Sequence, residues 1–331
     1  MTLSTTYLSL PLSSPLVASA SPLTGKLDSL RQLEDAGAAA VILPSVFEEQ
    51  IHQEKLFMDH FLNVKTEATP EAQDFFPDPD LYEYKSDLAL EHIQKAKKAL
   101  SIPVIASLNG STREGWSAFA KQIEQAGADA IELNLYEVAA DPSISGAELE
   151  ERQLDTVSEI TKKLSIPVSV KISSHYSALA HMAKGFEETG AAGLVLFNRF
   201  YQPDFDIESR SASRKLGLSH SREMLLPMSW IAILRGQRSL DLAATTGVHC
   251  ISDVIKYLMA GANVVCSTSA LLQNGAEKLT QFKTELEDWL EENGYKNVEE
   301  LRGCMRREYV DNPELFERAN YIKLLKSYPI P

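Results

Sequence analysis

The stretch EQAGADAIELNLY (124–136) closes a helix, turns at Gly127 and runs straight into an apolar strand. Three other segments repeat its grammar: EDAGAAAVILPS (34–45), EETGAAGLVLFN (187–198) and YLMAGANVVCST (257–268), with glycines at 37, 190 and 261. Glycine takes the left-handed conformation of a helix C-cap without a Cβ penalty. The unbroken apolar run after it suits a parallel strand covered on both faces. Two further segments, LSIPVIASLN (100–109) and LSIPVSVKIS (164–173), end their helices on proline and begin the strand at once.

Adding LVASA (16–20) and SLDLAAT (239–245) brings the expected strands to eight. The helices between them show a 3.6-residue period. Trp116, Phe119, Ala120 and Ile123 share one face of 113–126; Leu154, Val157, Ile160 and Leu164 share one of 148–164. Leu179, Met182, Ala183 and Phe186 mark the next helix, and Leu279, Phe282, Leu286, Trp289 and Leu290 a tail helix. Eight βα units in 331 residues predict an α/β fold, a (β/α)8 TIM barrel forming a single domain over 1–331. Long loops are expected at its C-terminal face and helices at its C-terminus. An open doubly wound sheet would show GxGxxG after its first strand, where this chain has LVASASPLTG.

Two connections are too long for turns. Residues 46–88 carry an acidic run rich in proline and aromatics (densest over 66–88), and residues 199–227 read RFYQPDFDIESRSASRKLGLSHSREMLLP. Both follow strands, so both belong to the face where barrels keep their chemistry, as lids or as solvated decoration.

A net charge of −14 works against nucleic acid or an anionic membrane as partner. Cys250, Cys266 and Cys304 show no CxxC spacing, and their odd number speaks against a secreted disulfide framework. The N-terminus has no basic leader, and no apolar run approaches the about 18 residues of a membrane span. A soluble cytoplasmic protein is expected.

The functional candidates of a barrel stand at the C-terminal ends of its strands. Here these are Ser19, Ala20 and Ser21; Pro44 and Ser45; Asn109; Asn134, Tyr136 and Glu137; Lys171 and Ser173; Asn198; Thr246 and Gly247; Thr268 and Ser269. The set holds amides, hydroxyls and one cation, and no HxH, HExxH or carboxylate cluster, so no metal is expected. Thr245–Val248 and Ser267–Ala270 follow the last two strands, where amides and hydroxyls suit either a phosphate or ordinary helix capping. Lys171 ends an otherwise apolar strand and needs an anionic partner unless it snorkels at the rim. A flavin ring or an imine would each use it. His175 and His249 stand alone, and Arg235 and Arg238 read as rim charges.

Together these segments resemble the dihydroorotate dehydrogenases, FMN-dependent (β/α)8 enzymes of pyrimidine synthesis. ELNLYE is similar to the family's Asn-Leu-Ser-Cys-Pro-Asn segment, VSVKIS to the strand bearing the flavin lysine, and VLFN to that bearing a substrate asparagine. ATTGVHCISDVIKYLMAGANVVCSTSALL is similar to the two-part phosphate site. ASASPLTG, SVFEEQI, LVLFNRFYQPD, WIAILRG and FERANY look most like a dihydroorotate dehydrogenase-like branch. The resemblance implies FMN, with Ser19, Ala20 and Ser21 lining the ring and Ser45, Asn109 and Asn134 beside it. It places Lys171 at the N1/O2 edge, Thr246, Gly247, Thr268 and Ser269 around the phosphate, and Asn134 and Asn198 on the substrate. It also implies a homodimer, a small cyclic acid as substrate and the possibility of an electron-transfer partner protein.

The pattern departs from the family at the base. The reaction takes a proton from one carbon while hydride leaves its neighbour, and the family supplies Cys or Ser from the loop after the fourth strand. Glu137 stands at the Cys position with Tyr136 beside it, which makes both candidate catalytic residues. Pro44 replaces a second lysine, and Thr246 and Thr268 replace phosphate-site glycines. Two alternatives therefore accompany dihydroorotate oxidation: a flavin-binding subunit serving a redox partner, and a phosphate-binding barrel lyase or isomerase using Lys171.

Overall fold

The computed structural model describes residues 2–47, 85–109, 113–199, 203–213 and 217–316. Strands β1 (Thr5–Tyr7) and β2 (Leu10–Leu12) form an antiparallel hairpin. They are followed by β3 (Leu16–Ala18), β4 (Ala40–Ile42), β5 (Val46–Phe47), β6 (Val104–Asn109), β7 (Ala130–Asn134), β8 (Val168–Ile172) and β9 (Gly193–Leu196). A second hairpin, β10 (Asp204–Asp206) and β11 (Ser211–Ser213), precedes β12 (Asp241–Ala244) and β13 (Val264–Ser267). Strands β3, β4, β6, β7, β8, β9, β12 and β13 are parallel neighbours in that order, and β13 pairs back onto β3. The ring is closed, as the eight-unit pattern predicts. The short β5 adds a second pairing on β6.

Around the ring lie α1 (Leu27–Asp35), α2 (Lys85–Ala99), α3 (Arg113–Gln125), α4 (Gly146–Lys163), α5 (Leu179–Glu188), α6 (Leu225–Leu234) and α7 (Ile251–Ala260). Helices α8 (Ser269–Asn274), α9 (Glu277–Glu292) and α10 (Val298–Leu301) follow. Strand alternation sorts the core into two shells. Ile131, Leu133, Val168 and Val170 face outward onto Trp116, Phe119, Ile160 and Phe186. Val17, Ala40, Ile105, Ala130, Val195, Val264 and Cys266 face inward, and Tyr7, Leu8 and Leu12 of the first hairpin pack among them. The backbone N–H of Leu8 donates to Asp241 at 2.7 Å, which fixes the hairpin as a plug at the strand starts.

The four repeated glycines take φ of 100°, 98°, 88° and 123° at positions 37, 127, 190 and 261. A second regularity accompanies them. In three repeats the glutamate three residues before the glycine clasps the turn ending the next helix. Glu34 accepts from Ser101 N and Oγ at 2.8 and 2.6 Å, and Glu124 from Ser165 N and Oγ, both at 2.6 Å. Glu187 does the same for Ser239, its N at 2.8 Å and its hydroxyl closer still. Each carboxylate accepts from the backbone N–H and the hydroxyl of a serine in the turn between that helix and the next strand, which pins the turn.

The described part of the 199–227 connection is ordered, with the β10–β11 hairpin and a 3-10 turn at Ser221–Met224. The acidic 66–88 segment lies outside the described residues up to position 84, and α2 begins at its end. Arg235 and Arg238 lie in the turn before β12, at the strand-start face of the barrel. Arg235 is half-buried and donates to Asn263 Oδ1 at 3.1 Å, burial pushing its guanidinium below its usual value; Arg238 pairs with Glu187 at 3.4 Å.

Candidate active site

The C-terminal strand ends surround a cavity of about 230 Å³. Ser19, Ala20, Ser45, Asn134, Lys171, Asn198, Thr246, Gly247, Thr268 and Ser269 all line it. Register accounts for much of this. Asn134 on β7 is the ladder partner of Lys171 on β8, and Lys171 of Val195 on β9, so these residues stand at one level of the inner face.

Lys171 is 13% exposed, and its Nζ donates to Glu132 Oε1 at 3.4 Å. Asn198 Nδ2 donates to Asn134 Oδ1 at 2.9 Å. This leaves the Asn134 amide hydrogens and the Asn198 carbonyl oxygen available to a ligand.

The wall made by the last two strands is rich in hydroxyls and amides. Thr246 and Gly247 both have φ of 74°. A left-handed conformation costs a non-glycine residue about 1–2 kcal/mol, and more readily strains a β-branched one. The Tyr257 hydroxyl of α7 lies 2.9 Å from the Thr245 carbonyl oxygen and 2.7 Å from that of Thr246, which holds the turn in place. Thr245 Oγ1 donates to the Phe197 carbonyl at 2.7 Å, just after a cis peptide joining Leu196 and Phe197. Thr268 is the N-cap residue of α8 but makes no side-chain capping bond, so ordinary capping does not account for its hydroxyl. Helix α7 starts only at Ile251, beyond Thr246 and Gly247.

Ser219 joins this wall from the 199–227 connection. Its Oγ lies 3.0 Å from His249 Nε2 and accepts from Gly247 N at 3.4 Å, while its own N–H donates to Ser269 Oγ at 3.1 Å. Burial lowers the His249 pKa, which favours the neutral imidazole.

Six strand-end candidates are not among those lining the cavity: Ser21, Pro44, Asn109, Tyr136, Glu137 and Ser173. The Ser21 hydroxyl caps the 3-10 helix Pro22–Gly25, accepting from Leu23 N at 3.2 Å. Asn109 ends β6 in register with Asn134 and Phe47. Glu137 is paired with Arg152 of α4 at 2.5 Å, and half-buried Tyr136 stands beside it, its hydroxyl pushed up by desolvation. The reason is local. The ladder of β7 ends at Asn134, and the Tyr136 N–H turns back onto the Asn134 carbonyl at 3.1 Å, so strand alternation no longer aims these side chains inward.

Sequence reasoning missed Phe197, Arg199, Ser219 and Cys266, which also line the cavity, as do Thr245 and Val248 of the Thr245–Val248 segment read as a phosphate or capping turn. Cys266 was accessible through inward parity with Val264; Arg199 and Ser219 come from a long connection that no period constrains. Arg199 binds Glu223 through Nε and Nη2 at 2.9 and 3.1 Å and reaches the Leu218 carbonyl at 3.3 Å, anchoring that connection. Burial pushes the Cys266 thiol well above its ordinary range. No carboxylate or imidazole is among the described residues lining this cavity. Among the described residues no cluster could hold a metal ion, and no helix is long and apolar enough to cross a membrane.

A closed parallel barrel with a lysine and paired asparagines at one side of its mouth and hydroxyl-bearing loops at the other is a (β/α)8 enzyme scaffold. The chain belongs to the dihydroorotate dehydrogenase family, whose sequence model matches residues 81–290, more than half of it. It is 26% identical over 326 residues to a dihydroorotate dehydrogenase B (NAD(+)) catalytic subunit of Thermoplasma volcanium, covering 91% of this chain and 97% of that one. A subunit of the same name from Oceanobacillus iheyensis is 30% identical over 212 residues, 60% of this chain and 66% of that one. A dihydroorotate dehydrogenase A (fumarate) of Lactobacillus helveticus is 26% identical over 215 residues, 62% and 68% of the two chains. The family is one of flavoprotein oxidoreductases acting on CH–CH bonds.

Proposed function

We propose that this chain, as a single barrel domain, oxidises dihydroorotate or a similar small cyclic acid with FMN held in the strand-end cavity. The observation that carries this reading is one cavity lined jointly by Lys171, the Asn134–Asn198 pair, and the Thr246–Gly247 and Thr268–Ser269 loops. The donor set fits FMN. Hydroxyls and amides without an opposing carboxylate suit the phosphate, and a cation with neighbouring amides suits the polar edge of the ring.

FMN supplies the hydride-accepting N5. Lys171 places positive charge where the ring edge gains negative charge, the form of electrostatic help that a low-dielectric site makes strongest. Thr246, Gly247, Thr268 and Ser269 hold the phosphate, Ser19, Ala20 and Ser45 bound the ring, and the Asn134–Asn198 pair offers donors and an acceptor to a cyclic amide acid. Glu137 is the proton acceptor in this reading. It acts after leaving Arg152.

Anaerobic mixing of the yellow holoprotein with dihydroorotate tests the proposal. Bleaching of the flavin band is expected; a spectrum unchanged by dihydroorotate but bleached by dithionite sinks dihydroorotate as the substrate.

One observation favours a second reading, a flavin-binding subunit that serves a redox partner: the cavity lining lacks a carboxylate or imidazole among the described residues. The same mixing experiment separates the two. A lyase using Lys171 as imine former is disfavoured, because the chain belongs to a family of oxidoreductases.

A further inference from the structure

Below the cavity, the barrel contains a polar layer that the chemistry above does not use. Ser107 on β6, Glu132 on β7 and Ser169 on β8 are consecutive ladder partners, one step beneath Asn134 and Lys171. All three are buried, Glu132 to 1% exposure. The two serine hydroxyls are engaged elsewhere, Ser107 with Ser45 at 2.7 Å and Ser169 with the Ile131 carbonyl at 3.4 Å. Glu132 Oε1 accepts from Lys171 Nζ, and Oε2 has no hydrogen-bond partner among the described residues. Its other electrostatic neighbours are the Tyr7 hydroxyl and the Cys266 thiol, both kept protonated by burial.

A carboxylate this deep requires a counter-charge, and a well-packed apolar residue would be at least as stable at the site. The pairing therefore has its consequence at the ammonium itself. It draws the ammonium down onto the cavity floor and leaves its remaining N–H groups for what lies above.

We infer that Glu132 is a positioning residue for Lys171, fixing the ammonium and limiting how strongly it stabilises a bound flavin in its reduced, negatively charged form. The inference rests on the flavin reading above. Glu132 offsets part of the lysine charge, so removing the carboxylate frees the full ammonium for the flavin and makes reduction easier.

The test is a spectroelectrochemical titration of FMN-loaded wild type, Glu132→Gln, Lys171→Gln and the double variant. Glu132→Gln is expected to raise the two-electron midpoint potential, by about 30 mV for each tenfold gain in preference for the reduced flavin. In the Lys171→Gln background the same change is expected to move the potential by less than half as much. An unchanged potential in Glu132→Gln, or an equal shift in both backgrounds, overturns the inference. Glu132→Asp, which withdraws the carboxylate from the ammonium, replaces Glu132→Gln if the latter does not fold. A crystal structure of the wild-type holoprotein checks the geometry without any variant: Lys171 Nζ more than about 4 Å from both Glu132 oxygens overturns it. Failure of the wild type to take up FMN at all would instead refute the underlying flavin reading.

Discussion

The Glu137 carboxylate meets the Arg152 guanidinium at 2.5 Å, which turns the candidate base toward helix α4 and away from the cavity. Glu137→Gln separates catalysis from cofactor binding. If Glu137 takes the proton, turnover with dihydroorotate falls about 10²–10⁴-fold, the usual contribution of a positioned base, while FMN content is retained. Arg152→Ala, which releases the carboxylate, then leaves measurable turnover. Steady-state rates beside flavin absorbance check both, and full activity in Glu137→Gln removes it from the mechanism.

The strained turn at Thr246 gives a stability prediction. Thr246 has φ of 74° and is held by the Tyr257 hydroxyl at 2.7 Å from its carbonyl oxygen. Tyr257→Phe is expected to destabilise the protein by about 1 kcal/mol, the net worth of a typical buried hydrogen bond, and to weaken FMN binding severalfold. Thr246→Gly is expected to be neutral or stabilising by up to about 1 kcal/mol, because relief of the left-handed strain competes with glycine's entropy. Urea midpoints and FMN titrations measure these effects.

The clasp at Glu124 predicts a pH dependence. Hydrogen bonds from the Lys121 ammonium and the Ser165 hydroxyl push its pKa down to about 2. A carboxylate whose folded pKa is depressed contributes stability that is fully present above its unfolded pKa, about 4.3, and is lost as pH falls through the folded value. Glu124→Gln is therefore expected to be clearly destabilising at pH 7, with the gap to wild type narrowing by pH 3. Equal gaps at the two pH values would show that the charge is not what the clasp uses.

Two of the repeated glycines should differ sharply on substitution. At Gly127, φ is 98° and an added Cβ would come no nearer than 3.8 Å to Lys97 Cγ, so Gly127→Ala costs only the left-handed strain, about 1–2 kcal/mol. At Gly261, φ is 123° and the added Cβ would lie 2.7 Å from Arg235 Cβ and closer still to Cγ. Gly261→Ala is expected to cost more, in the about 3 kcal/mol range where overpacking adds to strain. Thermal or urea unfolding of the pair decides it.

The sequence determined the barrel, because its information is local and repeated. A helix end, a glycine at 127 or 190 and a buried apolar run each identify a βα unit, and eight such units close only one way at this length. The strand-end residues whose inward aim is set by ladder parity, Asn134 and Lys171, were legible for the same reason. Only the tertiary structure decided what happens where the ladder stops. Glu137 has no register to hold it, so contact with Arg152 some distance along the chain sets its direction. Ser219 and Arg199 reach the cavity from a connection without periodicity. Glu132 read as one polar letter in an apolar strand, and only the closed barrel shows that it lies beneath Lys171 and supplies its counter-charge. Periodicity fixes which way a side chain points; charge pairing depends on which other chain segments arrive there, and the ring has to close before those neighbours exist.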